Sequence, residues 1–414
     1  MGSTKRINWK HILFILGIIG PGIITSIADD DAGGITTYSV VGANFGYSLL
    51  WSLIPILILL IIVQEMVARI GAVTGKGLAD LIRENFGIKI TFFIMIGLLF
   101  ANLFVSISEF AGIAASGELF GISKYILVPI VAIFVWLLIV KLNYKLLEKF
   151  FFILIVFYLA YGISAFMAKP NWGAALKQLV IPQIQFNKAY LFLLIAHIGT
   201  TITPWMQFYL QSSVVEKGLR KEEYKYLKWD VIVGSVMTEL ISFFIIVTCA
   251  MVLFNNGIRI EGAVDAARAL EPLAGRYASL LFAVGFFGAS LFGAFILPIS
   301  TAFYVCEAFG WESGINKKFK DAKGFYILLL FIIAISAGVI IIPKIDLIFI
   351  IILSQFINGI ILPIILIVIL KLVNDKKLMG EYRNTAWMNI ASVVGCVLII
   401  TVTVIMLVTT FMPA

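Results

Sequence analysis

Residues 20–34 read Gly20-Pro21-Gly22-Ile23-Ile24-Thr25-Ser26-Ile27-Ala28-Asp29-Asp30-Asp31-Ala32-Gly33-Gly34. An apolar run ends on three consecutive aspartates and two glycines, then resumes from Ile35 to Phe45. A charged side chain at the centre of a bilayer costs at least about 2.5 kcal/mol, so an acid inside a span is a functional candidate by default. Two adjacent glycines favour unwinding. Unwound backbone at membrane depth is tolerated only where it lines a cavity or is buried in protein. Carbonyls freed by such a break, together with a carboxylate, make an oxygen-rich cation site. The competing reading ends the helix at Ala28 and leaves the aspartates in a solvated loop. Against it, the apolar run before Asp29 barely reaches span length, and apolar character returns at once after the break.

The rest of the chain has the composition of a membrane protein. Hydrophobic residues make up 61% of the 414 and charged residues only 13%, with mean hydropathy +1.06. Soluble domains carry about 25% charged residues. With spans of about 20 apolar residues, eleven fit: 11–42 with a break at 29–34, then 46–70, 91–117, 122–140, 150–168, 189–215 with a break near 200–204, 230–254, 277–306, 324–343, 345–370 and 386–411. With the N-terminus inside, 23 of the 31 Lys and Arg residues fall on the inner side and 8 on the outer. That asymmetry predicts a cytoplasmic N-terminus and, with eleven spans, an outer C-terminus in the plasma (inner) membrane. The net charge of +8 then serves topology, and no nucleic acid or obligate protein partner is expected. Cys249, Cys306 and Cys396 lie in apolar runs with no CxxC pair, so neither a disulfide nor a cysteine metal site is indicated. The first apolar run after Lys10 lacks a small-residue cleavage box, which argues against a removable leader.

A second break is expected in His197-Ile198-Gly199-Thr200-Thr201-Ile202-Thr203-Pro204. Proline removes a backbone donor and frees a carbonyl one turn earlier. An ordinary proline kink explains one such helix. Breaks in the first and sixth spans, corresponding members of two five-helix halves, point to an inverted-repeat transporter with its site at the repeat interface. Weaker candidates are Gln355 and Asn358 in span ten, which line a pathway or bond between helices, and Glu109 in span three, which titrates in a wet path or pairs internally. Glu65 and Arg69, spaced i, i+4, read as a structural ion pair. His197 reads as hydrogen-bonded packing. Glu239 and Glu307 have no partner recognisable in the sequence.

These residues bring a family into view. Gly20-Pro21-Gly22, Ser26-Ile27-Ala28, Asp31, Gly33, Gly42-Ala43, Phe45-Gly46-Tyr47 and Leu49-Leu50-Trp51 resemble the opening of the NRAMP divalent-metal transporters. Ala68 to Lys76, Pro204, Tyr209-Leu210, Ser212, Ser354-Gln355 and Leu362-Pro363 extend the resemblance over nearly the whole chain. It implies an all-α polytopic protein of the LeuT-type fold. Residues 1–414 form a single transmembrane transport domain, with inverted repeats at about 11–168 and 189–370 and an eleventh helix at 386–411. It implies a metal site of Ala28, Asp31, Gly34, Thr200, Thr203 and Gln355; Asp29, Asp30, Glu109 and Asn358 are expected, on their own chemistry, as vestibule or pathway residues. No cofactor and no enzymatic activity are expected; the metal ion is the substrate.

The departures concern substrate and coupling. The family carries Asp-Pro-Gly-Asn in the first break, where this chain has Asp31-Ala32-Gly33-Gly34. It carries Ala-x-x-Met before the sixth-helix proline, where this chain has Thr200 and Thr203. A thioether is a soft ligand, whereas magnesium takes oxygen ligands and usually keeps several waters. The pattern resembles a prokaryotic NRAMP-related magnesium transporter branch, with manganese as a second substrate. Family histidines after that proline are Trp205 and about Gln211 here, and the third-helix Asp-x-x-Glu is Ser106-x-x-Glu109. Span nine also lacks an arginine. Proton relays need titratable chains, so coupling to protons is expected to be weak or absent. The alternatives are a proton-coupled manganese or iron symporter, an amino-acid carrier of the same fold, a membrane enzyme holding magnesium for a diphosphate, and a gated channel. Three aspartates would repel a carboxylate substrate, and the enzyme would need a second acidic motif.

Overall fold

The computed structural model describes residues 20–141, 159–271, 275–315 and 317–411. The architecture there is helical, and nine helices among the described residues are long and apolar enough to cross a membrane. The other two expected spans are the first, which is broken and begins outside the described residues, and 150–168, of which 150–158 lie outside them. Lys5, Arg6, Lys10, Lys145 and Lys149 of the topology count also lie outside.

The first span comprises α1 (Pro21–Ile27) and α2 (Ala32–Phe45). The main helices that follow are α3 (Leu53–Thr74), α4 (Leu78–Leu119), α5 (Lys124–Lys141), α6 (Leu159–Met167) and α7 (Trp172–Val180). The second broken span is α8 (Lys188–Thr201) and α9 (Pro204–Glu216). Then come α10 (Tyr224–Val252), α11 (Ala278–Phe309), α12 (Lys323–Ile341), α13 (Leu347–Asn374) and α14 (Ala386–Phe411). Both proline-led halves begin where the sequence dictates. Pro21 and Pro204 sit at the first helical position, where the missing N–H costs nothing and the fixed φ suits a helix.

Several expected boundaries are corrected. The first break covers 28–31, not 29–34, and the second covers 202–203. Gly33 and Gly34 therefore lie in the first turn of α2 and do not unwind it. Span two begins after a tight turn at Gly46 (φ 57°), and span seven starts earlier, at Tyr224. Span three is preceded by a helical segment from Leu78, separated from it at Gly87 (φ 78°, ψ 165°). That left-handed value is accessible to glycine without strain.

Helix α10 packs on the first broken span almost backbone to backbone. A Cβ on Gly234 would fall 2.8 Å from the Gly22 carbonyl oxygen and the Ile23 Cα. The Thr238 hydroxyl donates to the Ser26 carbonyl at 2.5 Å. Asp230 accepts from the backbone N–H groups of Gly20 (3.0 Å), Gly22 (2.6 Å) and Ile23 (3.3 Å). It thus satisfies donors that a helix start leaves without intrahelical partners. Hydrogen bonds to a charged group are worth about 1.5–3 kcal/mol each. Asp230→Ala is expected to destabilise the protein by about 2–3 kcal/mol, seen as a lowered melting temperature in detergent; an unchanged melting temperature contradicts this.

Glu65 and Arg69 form the expected ion pair at 3.1 Å. Arg69 also donates to the carbonyls of Tyr382 (2.8 Å) and Arg383 (3.1 Å) and to the Asn384 side chain (2.5 Å), and the Tyr224 hydroxyl donates to Glu65. This cluster ties α3 to the start of α10 and to the segment before α14. Glu307, partnerless on paper, accepts from the Ser212 hydroxyl at 2.6 Å. On the outside, α5 and α14 present Ile126, Ile130, Ile133, Ile390, Val394 and Leu398, the apolar surface a bilayer covers.

Candidate functional site

Helices α2 and α8, which flank the two breaks, both meet α13 at Gln355. A Cβ on Gly33 would overlap the Gln355 amide, and one on Gly199 would overlap the Gln355 carbonyl oxygen. A Cβ on Gly359, one turn along α13, would fall 2.5 Å from the Ile195 carbonyl oxygen. Glycine at these three positions lets α2, α8 and α13 approach until the Gln355 side chain lies against the first turn of α2. Its amide donates to Ser354 Oγ (3.2 Å) and its carbonyl accepts from Asn358 Nδ2 (3.0 Å). Asn358 is thereby a support for Gln355, buried and with its own Oδ1 unpartnered.

Asp31 is the N-cap of α2. Its extended backbone (φ −73°, ψ −163°) precedes the helix, and its side chain accepts from Gly34 N–H at 3.0 Å. One carboxylate oxygen suffices for the cap. Glu109 of α4 approaches the same helix start and accepts from Ala32 N–H at 3.3 Å and from the Ser108 hydroxyl at 3.3 Å. Two acids thus share the positive end of α2, where the helix dipole favours negative charge. Gly112 and Gly293 permit this: a Cβ on the first would meet Ala32 and Ser290, and one on the second would overlap the Glu109 carboxylate.

Ala28 closes α1, is buried, and donates its N–H to the Ile24 carbonyl at 2.9 Å. Gly34 presents no side chain; a Cβ there would overlap the Asp29 carbonyl oxygen. At the second break, Thr203 precedes α9 without capping it. The hydroxyls of Thr200 and Thr203 are buried and lack partners. The family resemblance implies that Ala28, Asp31, Gly34, Thr200, Thr203 and Gln355 share one site. The structure brings Asp31, Gly33 and Gly199 together around Gln355, with Thr200 next along α8.

Asp29 and Asp30 differ from expectation. They do not line an open vestibule: both are buried, at 1% and 0% exposure, because α10 covers the break. His197 behaves as packing, with Nδ1 3.3 Å from Ser52 Oγ and its ring edge-on to Tyr38 at 5.4 Å. Tyr38, missed in the sequence, pairs its hydroxyl with Thr201 Oγ1 at 2.9 Å and links α2 to α8. The places of the family histidines hold structural groups. Trp205 is buried with Nε1 unpartnered, and Gln211 donates to the Lys76 carbonyl at 2.9 Å. Asp230 was also missed; the signal was an acid in span seven and the unpaired N–H groups of Gly20-Pro21-Gly22.

Two interrupted helices, joined through a third and flanked by an acid-bearing fourth, match a family on the sequence level too. The profile of the Nramp family (natural resistance-associated macrophage protein-like) matches residues 22–409. The chain belongs to the Nramp family. Its relatives include a protein of Klebsiella pneumoniae (strain 342) called divalent metal cation transporter MntH, 28% identical over 386 residues, which covers 91% of this chain and 90% of that one. Among solved structures, the Eremococcus coleocola manganese transporter in complex with an aromatic bis-isothiourea compound superposes with a TM-score of 0.78 at 21% identity, covering 99% of this chain and 88% of that one. MhsT in complex with L-phenylalanine superposes at 0.59 with 12% identity, covering 96% and 98%. This Nramp protein therefore has the LeuT-type fold that the family resemblance implies.

Proposed function

We propose that this Nramp protein carries divalent metal cations across the plasma membrane, that it takes magnesium and also manganese as partly hydrated ions, and that it does so with little or no proton coupling. The observation that carries the choice of ion is the donor set. The second break offers the buried, unpartnered hydroxyls of Thr200 and Thr203, the first break offers the Asp31 carboxylate, and neither a thioether nor an amide stands at Thr203 or Gly34. Hard oxygen donors suit magnesium, which surrenders its waters reluctantly; a soft sulfur would favour later transition metals. The names of its relatives support divalent metal transport in general. The Lys and Arg distribution supports a cytoplasmic N-terminus. An inside-negative potential then favours entry of a divalent ion by about 4.6 kcal/mol per 100 mV, twice the single-charge value, so no proton gradient is required.

One observation favours a second reading. The Glu109 carboxylate beside the Asp31 cap leaves an ionisable group at the site, which suits a proton-coupled manganese or iron symporter. Purified protein in liposomes separates the two. With an interior magnesium dye we expect saturable magnesium uptake that manganese inhibits, and with an interior pH dye we expect no metal-driven acidification. Absence of magnesium flux overturns the choice of ion, and acidification in step with metal entry overturns the uncoupled mechanism.

A further inference from the structure

The first break holds two acids that the Asp31 site does not use. Asp29 and Asp30 are buried, and all four of their carboxylate oxygens lack a hydrogen-bond partner. A third acid comes from 209 positions away in sequence. Gly234 of α10 lies on Gly22 and Ile23, and Thr238 bonds to the Ser26 carbonyl. The next residue, Glu239, lies within Coulombic range of both Asp29 and Asp30. Glu239 is only 5% exposed, and both its oxygens are unpartnered. Six buried carboxylate oxygens without a donor are a costly arrangement in low permittivity. Among the described residues no lysine, arginine or histidine forms an ion pair with them.

We propose that Asp29, Asp30 and Glu239 form a second cation station beside the Asp31 site, which holds a divalent ion through its hydration shell. Among the described residues no three acidic, histidine or cysteine side chains converge closely enough to hold a bare ion. An ion that keeps its waters is wider, and its water protons supply the donors these oxygens lack. A second ion next to the first also weakens its hold by repulsion, the knock-on principle of multi-site conduction. The station rests on the reading of this chain as a divalent-cation transporter, and not on its preference for magnesium.

The test counts ions. Full-length protein in nanodiscs is dialysed to equilibrium against manganese, and bound metal is measured per chain. Wild type is expected to hold two ions, Asp31→Asn one, and the triple variant Asp29→Asn, Asp30→Asn, Glu239→Gln one. In Asp31→Asn, electron–nuclear resonance of the retained manganese is expected to show a full shell of water protons. One ion in wild type, two in the triple variant, or a dehydrated ion in Asp31→Asn overturns the station. Where wild type holds one ion that Asp31→Asn abolishes, only the station fails; where wild type holds none, the metal-transport reading fails with it. The single variant Glu239→Gln, near in shape to the native residue, is expected to lower second-ion affinity at least 10-fold, and serves if the triple variant does not fold.

Discussion

Asp31→Asn is expected to lower divalent flux at least 100-fold while leaving the protein folded. The amide oxygen of asparagine can still accept from Gly34 N–H, as the aspartate does at 3.0 Å, so the cap of α2 survives; asparagine and aspartate rank together at this position. What is lost is the charge. At the effective permittivity of a protein, a unit charge 4 Å from a divalent ion is worth about 8 kcal/mol, twice the monovalent figure. Desolvation offsets part of this, and a residual of about 2.8 kcal/mol already corresponds to 100-fold. The measurement is initial-rate magnesium and manganese uptake in liposomes, with melting temperature as the control for folding. Retention of more than a tenth of the wild-type rate would remove Asp31 from the site.

Thr203→Met is expected to reduce the ratio of magnesium to manganese uptake at least 10-fold. The substitution replaces a buried, partnerless hydroxyl with a thioether at the break before Pro204. It removes a hard donor and fills space that a hydrated ion occupies. The complementary change at the other break is not equivalent. A side chain at Gly34 would collide with the Asp29 carbonyl oxygen, so Gly34→Asn shifts backbone as well as adding an amide, and its effect on selectivity is confounded. Competition between the two ions in the same vesicles measures the ratio; an unchanged ratio in Thr203→Met shows that this position does not set the choice of ion.

Much of this was legible in the sequence because the bilayer imposes local rules. Apolar length marks a span wherever it occurs, and proline marks the start of α1 and α9 through its own φ and missing N–H. Asp31 stood out because an acid inside an apolar span is costly and because it belongs to the family resemblance; its role as a helix cap did not. Glu65 and Arg69 were readable because i, i+4 spacing puts them together on any helix. What escaped depends on contacts between distant segments. The Gly33-Gly34 pair looked like an unwinding signal, yet it is helical; its use is the close approach of Gln355 and of the Asp29 carbonyl. Asp230 caps a helix 208 to 210 residues earlier, and no periodicity links the two. Glu239 was noticed and left without neighbours, because only the packing of Gly234 on Gly22 carries it to the first break. Asp29 and Asp30 read as vestibule or pathway residues because sequence does not reveal which helix covers a break.

The glycine contacts at Gly33, Gly199 and Gly359 have a mechanical meaning. Helices usually interlock through side chains, so that relative motion demands that knobs leave their holes and rotamers change. Here α2 lies on the Gln355 side-chain amide and α8 on the Gln355 carbonyl oxygen at these glycines, while Phe192 of α8 stacks on Phe356 of α13 alongside. Small sliding of packed helices is one of the established modes of conformational change, and the glycines remove three of the knobs that would oppose it. On the proposed reading, sliding of α2 and α8 along α13 would change the spacing between Asp31 and the threonines that would flank the ion.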